Sequence, residues 1–207
     1  MNDFIKPYSG FGKFQGPSEK CSWTSTIDSS NRCHVAVRGW FNLTDEVACT
    51  KPEAYGYIRG FPCIALKMNR IYGWEPEPYY NTTDVEQNHP EIPQSVKGAM
   101  AHTEAKYCKN VDKCPQLRMV WIDCHGATPH DEEYMGPVTY MPIQGYPGFF
   151  FPFLGQQHYL SPVVWIQLEK VYPGVLITIE CKLYAKNIRH DPSNPMVGGV
   201  RIELLMD

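Results

Sequence analysis

The side chains with the greatest chemical capacity lie together in one run, HGATPHDEE, which holds His125, His130, Asp131, Glu132 and Glu133. Imidazoles and carboxylates this close could bind a divalent metal. A zinc site on one element needs ligands spaced to share a face, however, and here Gly126 and Pro129 interrupt the run. It therefore reads as a solvated loop, with no metal expected. A second candidate is Cys108 with Cys114, separated by KNVDK and followed by Pro115. No second close cysteine pair completes a tetrahedral thiolate set, so these two read as a local disulfide. The sequence has no CxxC, no HExxH, no nucleophile elbow and no phosphate loop. Catalysis has no support in it, and no cofactor is expected.

The bulk properties narrow the classes further. A chain of 207 residues with 43% hydrophobic and 20% charged residues is long enough for one domain with a sizeable core. Its net charge of -3 offers no electrostatic footprint for nucleic acid or for an anionic membrane surface. No apolar run approaches the roughly 20 residues that span a bilayer, and Met1-Asn2-Asp3 opens no signal peptide, so the chain as given is expected to be soluble. Eight cysteines spread over the length, with sequons at Asn42-Leu43-Thr44 and Asn81-Thr82-Thr83, point instead to an oxidising, extracellular setting. A leader or anchor would then have been removed, or the chain is an ectodomain.

The elements that position these residues are mostly strands. Val175, Ile177, Ile179, Cys181 and Leu183 alternate with polar or outward positions, as do Val164, Ile166 and Leu168, and Tyr172-Pro173-Gly174 lies between them. That pattern predicts an antiparallel hairpin with Cys181 on the core face. Further strands are expected from Cys33, over Ile64 to Met68, over residues 118–124 with Val120, Ile122 and Cys124 on one face, and at the C-terminus through Val200, Ile202, Leu204 and Met206. One helix is expected over residues 95–107, weakened by Gly98. Residues 1–20 read as a stalk-like lead-in and 21–207 as the folded domain. Recurring strands with few helices make an antiparallel β-sandwich with long loops. Just before the expected hairpin, Phe149, Phe150, Phe151 and Phe153 are interrupted by Pro152 and closed by Gly155. These rings cannot all follow one regular element into one core, so some are expected to face a partner.

At these residues the chain resembles the extracellular domain of sodium/potassium-transporting ATPase beta subunits, the invertebrate forms above all. The similarity rests on Tyr55-Gly56-Tyr57 with Gly60 and Pro62-Cys63, on CIALKMNRIYGWEPEP with the sequon at Asn81, on FFPFLG, and on ITIECKLYAKNI. The resemblance implies an immunoglobulin-like sandwich on the outer face of the plasma membrane, single-pass and type II in the parent protein. It implies a non-catalytic subunit that assists assembly, membrane delivery and potassium affinity of a P-type ATPase alpha subunit, with a small single-span regulatory subunit as a further partner. An extracellular adhesion module with its own adhesion partner is the alternative. The family's pairing implies disulfides Cys124–Cys181, Cys49–Cys63 and Cys21–Cys33, with Cys108–Cys114 extra to the usual set. Glycans are implied at Asn81 and Asn42. The partner-binding surface implied is Tyr55, Tyr57, Phe150, Phe151, Phe153, Leu154 and Gly155, where phenylalanines occupy places that are tyrosine-rich in many relatives.

Overall fold

The computed structural model describes residues 19–20, 33–34, 49, 51–108, 114–156, 159 and 161–207. Its strands are β1 (Glu19–Lys20), β2 (Cys33–His34), β3 (Cys63–Lys67), β4 (Met119–Gly126), β5 (Val138–Met141), β6 (Gly145–Pro147), β7 (Val163–Leu168), β8 (Leu176–Tyr184) and β9 (Gly199–Leu205). The α-helices among the described residues are α1 (Thr82–Asn88), α2 (Gln94–Tyr107) and α3 (Pro129–Met135). The strands form a larger sheet ordered β6-β4-β8-β9, a smaller one ordered β3-β7-β5, and a two-residue parallel pairing of β1 with β2. Every pairing within the two main sheets is antiparallel.

The core lies between these sheets. Leu66 of β3 and Val164, Ile166 and Leu168 of β7 meet Val120, Ile122 and Cys124 of β4 and Ile177, Ile179 and Cys181 of β8. Strand alternation dictates this, since side chains two apart share a face and the apolar set must leave water. The result is a mainly β sandwich. Its central disulfide joins Cys124 to Cys181, directly opposite each other on neighbouring strands with Cα atoms 4.0 Å apart. In antibody-type domains the corresponding bond ties one sheet to the other; here it lies within a single sheet.

The expected hairpin does not form. β7 pairs with β3 and β5, whereas β8 pairs with β4 and β9, so the intervening turn carries the chain from one sheet to the other. Its backbone bonds show the crossing: Glu169 N–H donates to Pro137 O (2.9 Å), Tyr172 N–H to Tyr134 O (3.1 Å) and Gly174 N–H to Met206 O (2.7 Å). Alternation specifies a strand with one buried face and does not specify its neighbour. Two such strands joined by a turn bury their apolar faces equally well by facing each other across the core.

Among the described residues three α-helices stand where one was expected. α2 begins at Gln94 and lays Val96 and Met100 on the outer face of β4, against Met119 and Trp121. β4 is consequently buried on both faces from Met119 to Cys124. α1 adds Val85 to the same cluster, and Asn81, the N-cap residue, accepts the Asp84 N–H at 2.5 Å. α3 occupies the run read as a solvated loop. Thr128 accepts the Asp131 N–H while Asp131 accepts the Thr128 N–H, a reciprocal cap, and Pro129 opens the helix where its missing N–H costs nothing. Gly126 permits α3 to pack this close, since a Cβ there would stand 2.1 Å from Glu132 N.

Candidate functional site

The histidine and carboxylate cluster is divided among structural tasks. Asp131 is buried and accepts bonds from Thr128 Oγ1 (2.6 Å) and Thr178 N–H (2.8 Å), and these, the Thr128 hydroxyl first, hold its carboxyl below the usual range. Glu132 accepts the Gly126 N–H, and the His130 ring lies against Tyr134. His125 Nδ1 is 2.9 Å from Asp123 Oδ2, a bond that raises the imidazole pKa despite partial burial. Ser95 Oγ also donates to Asp123. A serine nucleophile needs its hydroxyl on the imidazole, with the carboxylate behind; here the carboxylate sits between the other two and the Ser95 hydroxyl meets it rather than the imidazole. Among the described residues no three His, Cys, Asp or Glu side chains are placed to hold a metal ion.

The aromatic segment gives a different picture. A 3-10 turn at Gly148–Phe150 staggers successive rings, and Phe149, Phe150 and Phe151 all enter the inter-sheet core and are buried there. Three of the four rings thus share one core, because a tight turn, unlike a strand, does not send alternate side chains to opposite faces, and Phe153 stays outside it. Phe151 packs edge-on to Trp74 with ring centres 5.4 Å apart. The chain then turns outward, leaving Phe153 and Leu154 half-buried and Gly155, with a positive φ of 79°, exposed.

Phe153 is held in a small built corner. It bridges to Tyr72, whose neighbour Gly73 donates its N–H to Phe153 O at 2.9 Å, and the Tyr72 and Phe153 rings meet edge to face at 6.5 Å. Arg70 donates to Tyr159 O at 3.0 Å, and its guanidinium lies 5.7 Å from the ring centres of both Phe153 and Tyr159. Tyr159 Oη in turn donates to Phe150 O at 2.9 Å, and buried Gln156 ties the loop by accepting Leu154 N–H and donating to Pro152 O. Every polar group named here thus anchors backbone; Tyr159 is buried, Phe153 half-buried, and the outward side of the corner is Ile71 and Tyr72. Tyr72 is 74% exposed and Ile71 50%. Large apolar groups held rigid in water are what an interface core supplies.

Tyr55 and Tyr57 belong to a separate place. The turn Ala54–Arg59 lies over the outer face of the smaller sheet, where Tyr55, itself at positive φ (53°), stacks on Trp165 with ring centres 5.6 Å apart. Both join the cluster around the Cys49–Cys63 disulfide. Tyr57 is more open, partial burial raising its phenol pKa, and Ile58 and Phe61 beside it are exposed. Arg70, Ile71 and Tyr72 were missed in the sequence; their signal was the unspaced NRIYGW run at the end of β3, where a strand pattern stops but rings continue.

Cys108 and Cys114 are bonded beneath α2. Asn81 is half-buried as a helix cap rather than exposed in a loop, because its side chain meets an amide that α1 leaves unpaired. Asn42, the lead-in at residues 1–18, and the Cys21–Cys33 pairing lie outside the described residues. Among the described residues no helix is long and apolar enough to cross a membrane.

The sequence also matches known proteins. It is 34% identical over 210 residues to sodium/potassium-transporting ATPase subunit beta-2 of Drosophila melanogaster, covering 100% of this chain and 60% of that protein. Identity to subunit beta-1 of the same fly is 31%, with the same coverage, and to subunit beta-1 of Tetronarce californica 29%, over 73% of this chain and 44% of that protein. The chain thus spans about 60% of the length of the fly relatives. The family model for the sodium/potassium ATPase beta chain matches residues 1–202, and the chain belongs to that family.

Proposed function

We propose that this chain is the extracellular part of the non-catalytic beta subunit of a sodium/potassium-transporting ATPase, carried by a single-pass type II anchor, and that it assists assembly, membrane delivery and potassium affinity of the alpha subunit. The observation that carries the reading is the family match over residues 1–202. The corner of Ile71, Tyr72, Phe153, Leu154 and Gly155 is the surface that meets extracellular loops of alpha, with Tyr57 as a second, separate contact. Phe150, Phe151 and Tyr55 support it from beneath: Phe151 backs Trp74, and Tyr55 holds the turn that presents Tyr57. Asn81 and Asn42 are the glycan sites in this reading.

The test is to express the full-length beta protein with alpha and replace Tyr72 and Phe153 together with Ala. Tyr72 is exposed and Phe153 half-buried, so the domain retains its disulfides and its fold. Alpha recovered with beta falls by tenfold or more if the two rings are interface anchors, since one anchor commonly contributes about 2 kcal/mol. A folded double variant that recovers alpha and supports transport like the parent removes this corner from the contact.

A further inference from the structure

Strand β9 ends the larger sheet, with β8 on one side and, among the described residues, no strand on the other. One bond fixes which way its backbone points. Leu183 N–H donates to Gly198 O at 2.8 Å, and in an antiparallel ladder bonded and non-bonded pairs alternate. Gly198, Val200, Ile202 and Leu204 therefore turn their amides and carbonyls toward β8. Arg201 and Glu203 turn theirs away, leaving a row of donors and acceptors able to template another strand.

The side chains decide which strand fits. On the outer face of the sheet Glu180 lies opposite Arg201 and Thr178 opposite Glu203. Arg201 is ion-paired to Glu180, whereas Glu203 has no ion pair with another described residue. Edge charges ordinarily deter pairing, yet their order here reverses the effect. When the strand meets a copy of itself antiparallel, about an axis through Ile202, Arg201 falls opposite the Glu203 of the copy and Glu203 opposite its Arg201. The two neighbouring registers with the same backbone parity set Arg201 on Arg201 or Glu203 on Glu203, and like charges directly opposite are destabilising. Charge and backbone parity thus select one register independently. Arg201 need not give up Glu180, because a guanidinium carries five N–H donors. The row His125, Glu180, Arg201 in one chain then continues into Glu203 and Thr178 of the other, while Val200, 36% exposed, meets Leu204 of the copy on the opposite face.

We propose that β9 is a self-complementary edge, at which two copies of this chain join by antiparallel pairing of residues 200–204 into one continuous sheet. The experiment is sedimentation equilibrium of the oxidised 207-residue chain over concentrations up to about 1 mM, with amide exchange measured at both ends of the range. The expected result is a reversible monomer–dimer equilibrium in which the Arg201 and Glu203 amides gain protection as concentration rises. Glu203→Arg sets arginine against Arg201 at both ends of the pairing and weakens the dimer about tenfold or more. Glu203→Pro removes an outward N–H without touching the β8 ladder and gives the same loss. Near-ultraviolet circular dichroism of each monomer checks the fold. A wild-type chain that stays monomeric overturns the proposal, and so does a dimer that survives either folded variant or protects other amides instead.

Discussion

Two regions of the molecule are rich in large rings and meet opposite fates. On the outer face of β4, Trp121, Tyr184 and Tyr79 lie beneath α1 and α2, and Trp121 is 1% exposed. At the corner where β3 ends, no helix among the described residues lies over Tyr72 and Phe153; Phe153 is half-buried and Tyr72 keeps three quarters of its surface in water. Ring content is therefore a poor guide to whether a segment builds core or interface. The presence of a covering element decides it: fourteen residues of α2, closed by the Cys108–Cys114 bond, stand over one region, and the other is fastened at its base, through Arg70, Gln156 and the Gly73 N–H.

If cover makes the difference, the covered side should carry stability and the open corner should not. Trp121→Ala is expected to lose about 3–5 kcal/mol in denaturant unfolding, the cost of a large ring removed from a packed site. A loss near that of a surface substitution would erase the contrast. The third helix tests the same idea on a smaller scale. Thr128→Ala removes the reciprocal cap of α3 and the hydroxyl bond to Asp131, with an expected cost of about 1 kcal/mol, measured the same way.

The smallest effect sharpens the contrast at the uncovered half of the larger sheet, where the outer face is ionic. The bond to Asp123 raises the folded-state pKa of His125. Its contribution is therefore fully present below the unfolded value of about 6.5 and is lost as pH rises through the higher folded value. His125→Gln should flatten the fall in melting temperature above that pH and leave the behaviour at pH 5 to the carboxylates. Unchanged curvature would show that the imidazolium is no better held in the fold than in the unfolded chain.

How much of this was legible depended on the kind of signal. β3, β4, β8 and β9 could be read because a period of two appears directly in the apolar residues, and α2 because Val96, Ala99 and Met100 share a helical face. α1 could not, since seven residues with one buried apolar side chain, Val85, carry no period. α3 had a signal of another type: Thr128 followed three places later by Asp131, with Pro129 between, is a helix start, but the same residues look like metal ligands. The neighbour of β7 was not legible at all, because a turn between two one-faced strands fits a hairpin and a crossing equally. At the candidate site the whole run Phe150, Phe151, Phe153, Leu154 and Gly155 could be read as ring-rich, but not that the turn takes Phe150 and Phe151 into the core. Tyr72, which meets Phe153 from far along the chain, was not legible.

The crossing between β7 and β8 has a consequence for the order in which this domain can be made. Cys63 of β3 waits for Gln167 of β7, and Cys124 of β4 for Cys181 of β8, so neither sheet can close until most of the chain has emerged. Contacts this distant in sequence form slowly and leave strand edges open meanwhile. Oxidation should follow the same calendar. The short Cys108–Cys114 and Cys49–Cys63 loops can close while the nascent chain is still lengthening, and the Cys124–Cys181 bond comes after them, once β8 has followed β4 out of the ribosome and the two strands can pair.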